Sequence, residues 1–295
     1  VDTLTVGSGF TNNLTVTGSN GADVITLTDN TRTATLTGGT GVDTYTLGAG
    51  TESITAGTGN DIVNVGSAAA LTSTDVLTGG IGTDVLNFSA AQTVVDSQLT
   101  GVSTFETITS GNVAMTITLG AQAQEAGIAT VTLGNAANTV VASSVTSNLT
   151  ITGGTGIDKI TGGSGDDTLS GGNGADIYTF AATGALNGTD AFGANIVVAD
   201  DKLDFSAFLS GGTFSGTVIQ HGGTADVDIT NKAVLVGTTA TSTAETNTVA
   251  KIVALIEGMG DALSISSGGK GIVIGGDDAG AVAGGAIYFV DDSLG

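Results

Sequence analysis

The chain contains no cysteine, no proline, no tryptophan and a single histidine. Without cysteine there is no disulfide, thiolate zinc site or thiol nucleophile. His221 alone cannot build an HExxH or multi-histidine metal centre, and it sits in QHGGTAD with no evident partner, which reads as a loop histidine. Basic residues are scarce: 6 Lys and Arg stand against 28 acids, a formal net charge of -22. Phosphate contacts need Lys and Arg, so nucleic acid is excluded as a partner. An anionic membrane surface is disfavoured for the same reason. No apolar run reaches the roughly 18 residues that span a bilayer, so no transmembrane segment is expected. The first residue is Val and no signal peptide is visible, which reads as a fragment or a processed chain.

What is present is equally uneven. The 295 residues include 49 Gly, 50 Thr and 23 Asp but only 5 Glu. Asp tolerates tight turns, Glu prefers helices and Thr favours strands. Hydrophobic residues make up 40 % and mean hydropathy is +0.35, too apolar for a disordered acidic tail. The length is enough to bury a sizeable core. Asp in turns, Thr in strands and Gly throughout is a repeat-protein composition.

The repeat is nine residues long. Residues 153–179 read GGTGIDKIT, GGSGDDTLS and GGNGADIYT without a gap. Gly occupies positions 1, 2 and 4, Asp position 6 (Asp158, Asp167, Asp176) and an apolar residue position 8 (Ile160, Leu169, Tyr178). A second array at 38–64 reads GGTGVDTYT, LGAGTESIT and AGTGNDIVN, with Asp43, Glu52 and Asp61 at position 6. Single units lie at 18–26 and 79–87, carrying Asp23 and Asp84. A degenerate trace at 133–142 has Asn138 where Asp is expected. The segments NLTVTGSNGADVIT (13–26) and NLTITGGTGIDKIT (148–161) parallel each other. Each is an alternating strand feeding a Gly-rich turn, the mark of internal duplication.

This spacing predicts a calcium-binding β-solenoid. Three Gly in four residues permit a tight turn at positive φ, which is expected to point backbone carbonyls inward. Position 6 adds a hard carboxylate oxygen. Three strand residues follow, the middle one facing the interior. One nonapeptide is then half a coil and two make a coil of 18 residues. Asp158 and Asp176 stack on one edge, Asp167 lies on the other, and Asp43 stacks on Asp61. Carboxylates about 4.7–4.9 Å apart repel without a counter-ion. Calcium takes 6–8 oxygens with tolerant geometry, whereas magnesium demands a strict octahedron and keeps its waters. The expected ligands are Asp158, Asp167, Asp176, Asp43 and Asp61, followed by Glu52, Asp23 and Asp84. Carbonyls from the turns at Gly154, Gly156, Gly163, Gly165, Gly172, Gly174, Gly39, Gly41, Gly57 and Gly59 complete the sites, and the sequence does not choose among them. The competing reading is a Gly-rich solenoid whose Asp residues only cap turns.

The motifs GGTGIDKITGGSGDDTLSGGNGADIYTF and GGTGVDTYT make the chain resemble the RTX family of bacterial proteins. The resemblance implies a parallel β-roll that folds on several calcium ions, one-step type I secretion and an uncleaved C-terminal secretion signal. The segment ANIVVADDKLDFSAFLSGG (194–212) is similar to the stretch that closes such rolls, with Asp200, Asp201 and Asp204 as either caps or ligands. Within the family the chain is most similar to surface-layer proteins, which combine Gly/Thr/Ala-rich β-structure, few Lys and scattered repeats. The stretch 101–120 has that style, with Phe105 and Ile108 as core candidates. That similarity implies self-association into a lattice or filament and a cell-surface polysaccharide anchor.

The remaining expectations concern organisation. The fold class is all-β, with a β-solenoid segment over 1–87, a degenerate β-rich segment over 88–147, a second β-roll over 148–212 and a C-terminal β-rich region over 213–295. AQAQEAG at 121–127 suggests one helical turn. A helix is expected over 244–258, where Val249, Ile252, Val253 and Ile256 share a face. GGKG at 268–271 lacks the Walker spacing. Asp277, Asp278, Asp291 and Asp292 read as solvated strand ends. No HExxH or GxSxG is present, so no enzyme is expected. The expected function is an extracellular structural protein that assembles on the bacterial surface. The alternatives are a calcium-binding adhesin or ice-binding-like solenoid, and the secretion module of an enzyme.

Overall fold

Alternation of Thr with Leu, Ile or Val puts one apolar row inside and one hydroxyl row outside each strand, and stacking such strands yields a solenoid. The computed structural model describes residues 2–7, 12–27, 32–181, 184–192, 201–204 and 207. It also describes the strands Val218–Gln220, Val227–Asp228, Lys232–Val236, Leu263–Ser264, Lys270–Gly275 and Ala286–Asp291. The helix expected over 244–258 lies outside these residues, as do His221, Asp200, Asp277, Asp278 and Asp292.

The chain is mostly parallel β and winds as a β-solenoid of about nine turns. One face is a long sheet that gains one strand per coil, from Asp2–Val6 through Asp23–Leu27, Thr44–Thr46, Ile62–Val65, Val85–Phe88, Thr107–Ser110, Thr130–Thr132, Thr150–Gly154 and Thr168–Gly172 to Ala191–Phe192. At its end the pairing turns antiparallel, where Ala191 meets Ala286. The opposite face is split into two parallel sheets. Five strands from Leu14–Thr17 to Val102–Ser103 form the first. Six strands from Gln92–Val94 to Lys202–Asp204 form the second.

Between the faces runs a continuous apolar row. Ile25, Tyr45, Val63, Leu86, Ile108, Val131, Ile151, Leu169 and Phe192 follow one another in register along the long sheet. All are buried. Position 8 of the nonapeptide thus faces the core, as its pattern requires, and Phe105 and Ile108 are core residues too. Each such side chain contributes about 1.5–3 kcal/mol of burial.

Coils are 18 residues long only where nonapeptides are contiguous, as in the pairing of Thr44 with Ile62 and of Thr150 with Thr168. Elsewhere the excess leaves the sheets as loops. One such excursion carries the helix Ala121–Ala126, the helical turn anticipated at AQAQEAG. Asp96 from the preceding coil caps it, accepting from the N–H groups of Gly120 (2.7 Å), Ala123 (2.9 Å) and Gln122 (3.1 Å). That satisfies the donors a short helix leaves free at its start.

Ile108 sits mid-column, and its truncation to Ala removes apolar contacts on both neighbouring coils. Ile108→Ala is expected to cost about 2–5 kcal/mol, measured as a lower urea midpoint in excess calcium. An unchanged midpoint would remove the row from the list of stabilising features.

Candidate metal centre

Every nonapeptide ends its turn by placing residue 6 at the mouth of the next strand. Asp23 opens a strand of the long sheet and Asp43, Asp61, Asp84 and Asp167 directly precede one, whereas Glu52 lies at the start of a strand of the opposite face and Asp158 and Asp176 directly precede two others there. Asp158 and Asp176 therefore share an edge that Asp167 does not, as the 18-residue spacing requires. All eight side chains are buried.

The acids are joined coil to coil by short hydrogen bonds. The N–H of Asp23 donates to Asp43 Oδ1, that of Asp43 to Asp61 Oδ1 and that of Asp61 to Asp84 Oδ1, each at 2.7 Å. On the other edge the N–H of Asn138 donates to Asp158 Oδ1, that of Asp158 to Asp176 Oδ1 and that of Asp176 to Asp201 Oδ1, each at 2.8 Å. Four further acids extend these ladders. Glu106 accepts from the Asp84 N–H, Asp75 from Glu52, Asp190 from Asp167, and Asp201 as above. A strict nine-residue period misses them, because loops put 22 to 25 residues between partners. An acid directly before the strands that begin at Val76, Thr107, Ala191 and Lys202 was the available signal.

The second carboxylate oxygen separates the coils into two kinds. In Asp43, Asp61, Asp84, Asp158 and Asp176 the buried Oδ2 has no hydrogen-bond partner. In each of these five units the Gly at position 2 has positive φ: Gly39, Gly57, Gly80, Gly154 and Gly172. Gly41, Gly59, Gly82 and Gly174 at position 4 do as well, while Gly156 does not. In the other kind the position-2 N–H points at the acid. Ser19 donates to Asp23 Oδ2 at 2.8 Å and Gly163 to Asp167 Oδ2 at 2.7 Å, and neither Gly163 nor Gly165 has positive φ. Left-handed glycine at position 2 thus goes with an uncompensated carboxylate oxygen.

Oxygen surrounds that oxygen. A Cβ on Gly38 would collide with Asp43 Oδ2, the Ala56 carbonyl and the Tyr45 hydroxyl, and one on Gly153 with Asp158 Oδ2 and the Gly171 carbonyl. One on Gly79 would strike Asp84 Oδ2 and the Thr104 carbonyl. Position 1 is glycine at these sites because the carboxylate and the neighbouring coil's carbonyl fill the space. Both oxygens of Glu52 are buried without a hydrogen bond too, although Gly48 and Gly50 at positions 2 and 4 of its repeat do not have positive φ. Among the described residues no three His, Asp or Glu side chains converge, so the donors are one or two carboxylates with backbone carbonyls. That all-oxygen set suits calcium, which accepts carbonyls and carboxylates alike, and offers nothing to a metal that prefers nitrogen or sulfur.

Electrostatics point the same way. Burial pushes Asp43, Asp84, Asp158, Asp167 and Asp176 above the usual carboxylate range. Asp61 rises to about 6 through burial, with the Asp84 and Asp43 charges adding to it. Glu52 rises to about 8 through burial and then the neighbouring Asp75, and Asp190 to about 8 through burial and then Asp167 and Asp166. Asp23 moves the other way, held down first by the Ser19 N–H. Buried carboxylates facing oxygen require a cation or a proton.

Comparison with known families agrees with this geometry. The model of the RTX calcium-binding nonapeptide repeat matches residues 37–69, 70–90 and 150–178, in four copies. The chain carries RTX calcium-binding repeats. They cover under a third of its length and include the five coils with an uncompensated Oδ2. Such repeats are typical of secreted proteins. The chain matches no curated protein and no solved structure. Among the described residues no helix is long and apolar enough to cross a membrane.

The pH dependence without calcium follows from the raised acids. Asp61, Glu52 and Asp190 keep protons in the folded chain that unfolded carboxylates, at about 4, have released. The folded state therefore binds more protons between pH ~4 and ~8, and its stability falls as pH rises through that window. In chelator the protein is expected to melt higher at pH 5 than at pH 8. In excess calcium the order reverses, because metal and protons compete for the same oxygens. Equal melting at both pH values in chelator would contradict the buried-acid account.

Proposed function

We propose that this chain is part of an extracellular structural protein that folds on calcium and assembles into an ordered bacterial surface layer. The observation that carries the reading is the set of five buried, in-register Asp residues whose Oδ2 atoms have no partner. Asp43, Asp61, Asp84, Asp158 and Asp176 would hold the ions, with Asp23, Glu52 and Asp167 beside them. Bound there, calcium supplies the positive charge that the stacked carboxylates lack.

The Asp turns then work as a switch. At low calcium a net charge of -22 opposes compaction, and an unfolded chain fits a narrow type I export channel. At calcium concentrations around 10⁻⁴–10⁻³ M, typical of extracellular modules, the turns close. A preformed site does not exist in the unfolded chain, so binding free energy becomes folding free energy. The folded solenoid presents flat, Thr-covered sheets for self-association and for a cell-surface polysaccharide anchor. The reading contains no catalytic step.

A second reading is favoured by the outer face of the long sheet. Thr107, Thr130, Thr150 and Thr168 form one column in register, and Thr109, Thr132, Thr152 and Ser170 another. Coils repeat at about 4.8 Å and the columns lie about 6.6 Å apart. A regular hydroxyl grid of that kind suits an adhesive or ice-binding surface.

Negative-stain electron microscopy in about 5–10 mM calcium, several times the weak end of that range, and in chelator separates the two. Sheets or filaments seen only with calcium are the expected result. Folded monomers in calcium would overturn the surface-layer reading and leave the hydroxyl grid as the functional face. Circular dichroism on the same samples is expected to lose most of its β-signal in chelator, and an undiminished signal would defeat calcium-dependent folding.

A further inference from the structure

One coil solves the uncompensated-oxygen problem with an amide in place of the acid. In the degenerate unit at 133–141 the sixth residue is Asn138, buried like its Asp counterparts. Its Oδ1 accepts from the Met115 N–H at 3.0 Å, continuing the coil-to-coil ladder. That bond fixes the amide orientation. Nδ2 then occupies the position of the Oδ2 atom that is orphaned elsewhere. It faces the carbonyl oxygens of Ala136 at 2.6 Å, Gly134 at 3.2 Å and Gly153 on the next coil at 3.5 Å, and Asp158 Oδ1 at 3.0 Å. These are positions 4 and 2 of its own repeat and positions 1 and 6 of the next.

The geometry points to Asn138 as a built-in substitute for the cation. Its amide places positive hydrogens among four oxygens, where an Asp at the same position would place a fifth oxygen. The coil is therefore complete without metal. It heads the ladder that begins at Asp158, while the Asp43–Asp61–Asp84 ladder lies on the other edge earlier in the stack, so a self-satisfied coil stands between the two arrays of calcium sites along the solenoid. The inference rests on the calcium reading and adds that, in coils where no position-2 N–H reaches the second oxygen, identity at position 6, amide or acid, sets whether an ion is required.

Two reciprocal substitutions test it, with calcium counted by titration calorimetry on the full chain. Asn138→Asp presents five oxygens to one another and is expected to bind one more ion than the wild type. The steepness of its folding against log calcium also rises by one ion, by linkage. Asp158→Asn keeps an Oδ1 acceptor for the Asn138 N–H and turns an amide into the cage shared with Gly171. It is expected to bind one ion fewer and to fold at a lower calcium concentration than the wild type. An Asn138→Asp protein that folds yet binds the wild-type number of ions would overturn the inference while leaving the calcium reading intact. A wild type that binds none would overturn both. Should Asn138→Asp not fold even in excess calcium, Asp158→Asn decides: folding that needs more calcium than the wild type overturns the inference, and folding that needs less supports it.

Discussion

The structure depends on one repeated contact, a backbone N–H on one coil donating to a buried carboxylate on the next. Each such bond is charge-assisted and short, which fixes the register of neighbouring coils at the turn. It also leaves the other carboxylate oxygen inside the stack with nothing to accept from. The apolar row between the sheets supplies most of the cohesion, but it cannot remove that liability. Every coil must answer it with a position-2 N–H, an amide or a cation. The three answers are seen or implied at Asp167, at Asn138 and at Asp43.

Glycine acts here through two different constraints. At position 2 a positive φ accompanies loss of the N–H contact to the acid, so conformation decides whether the site asks for an ion. At position 1 of the units that carry Asp43, Asp84 and Asp158 the requirement is space, because carboxylate and carbonyl oxygens already stand where a Cβ would go. The nonapeptide thus encodes an oxygen-lined hollow as well as a turn.

Much of this was legible in the sequence. The period of nine gave the two edges, the stacking of Asp158 on Asp176 and of Asp43 on Asp61, and the inward row at position 8. The run AQAQEAG at 121–127 separately pointed to the helical turn, seen as Ala121–Ala126. What escaped reading was set by loops. Asp75, Glu106 and Asp190 join the ladders only because coils of unequal length return to register, a condition fixed by strand pairing in space. The difference between Asp167 and its neighbours was also hidden. All three units of 153–179 share the same consensus, yet the Gly163 N–H turns toward its acid and the equivalent groups of Gly154 and Gly172 do not. Asn138 was visible as a departure from consensus, but its role depends on four oxygen atoms that come from two coils.

The uneven coil length has a mechanical consequence. Each coil contacts only its neighbours, so a chain pulled from one end comes apart coil by coil. Each step releases between 18 residues, as from Thr44 to Ile62, and 25, as from Ile177 to Lys202. At full extension that is roughly 60–90 Å of slack per rupture. The resisting force at each step is set by the turn at that coil's edge, so the solenoid is a series of unequal links, each answering to the groups in its own turn.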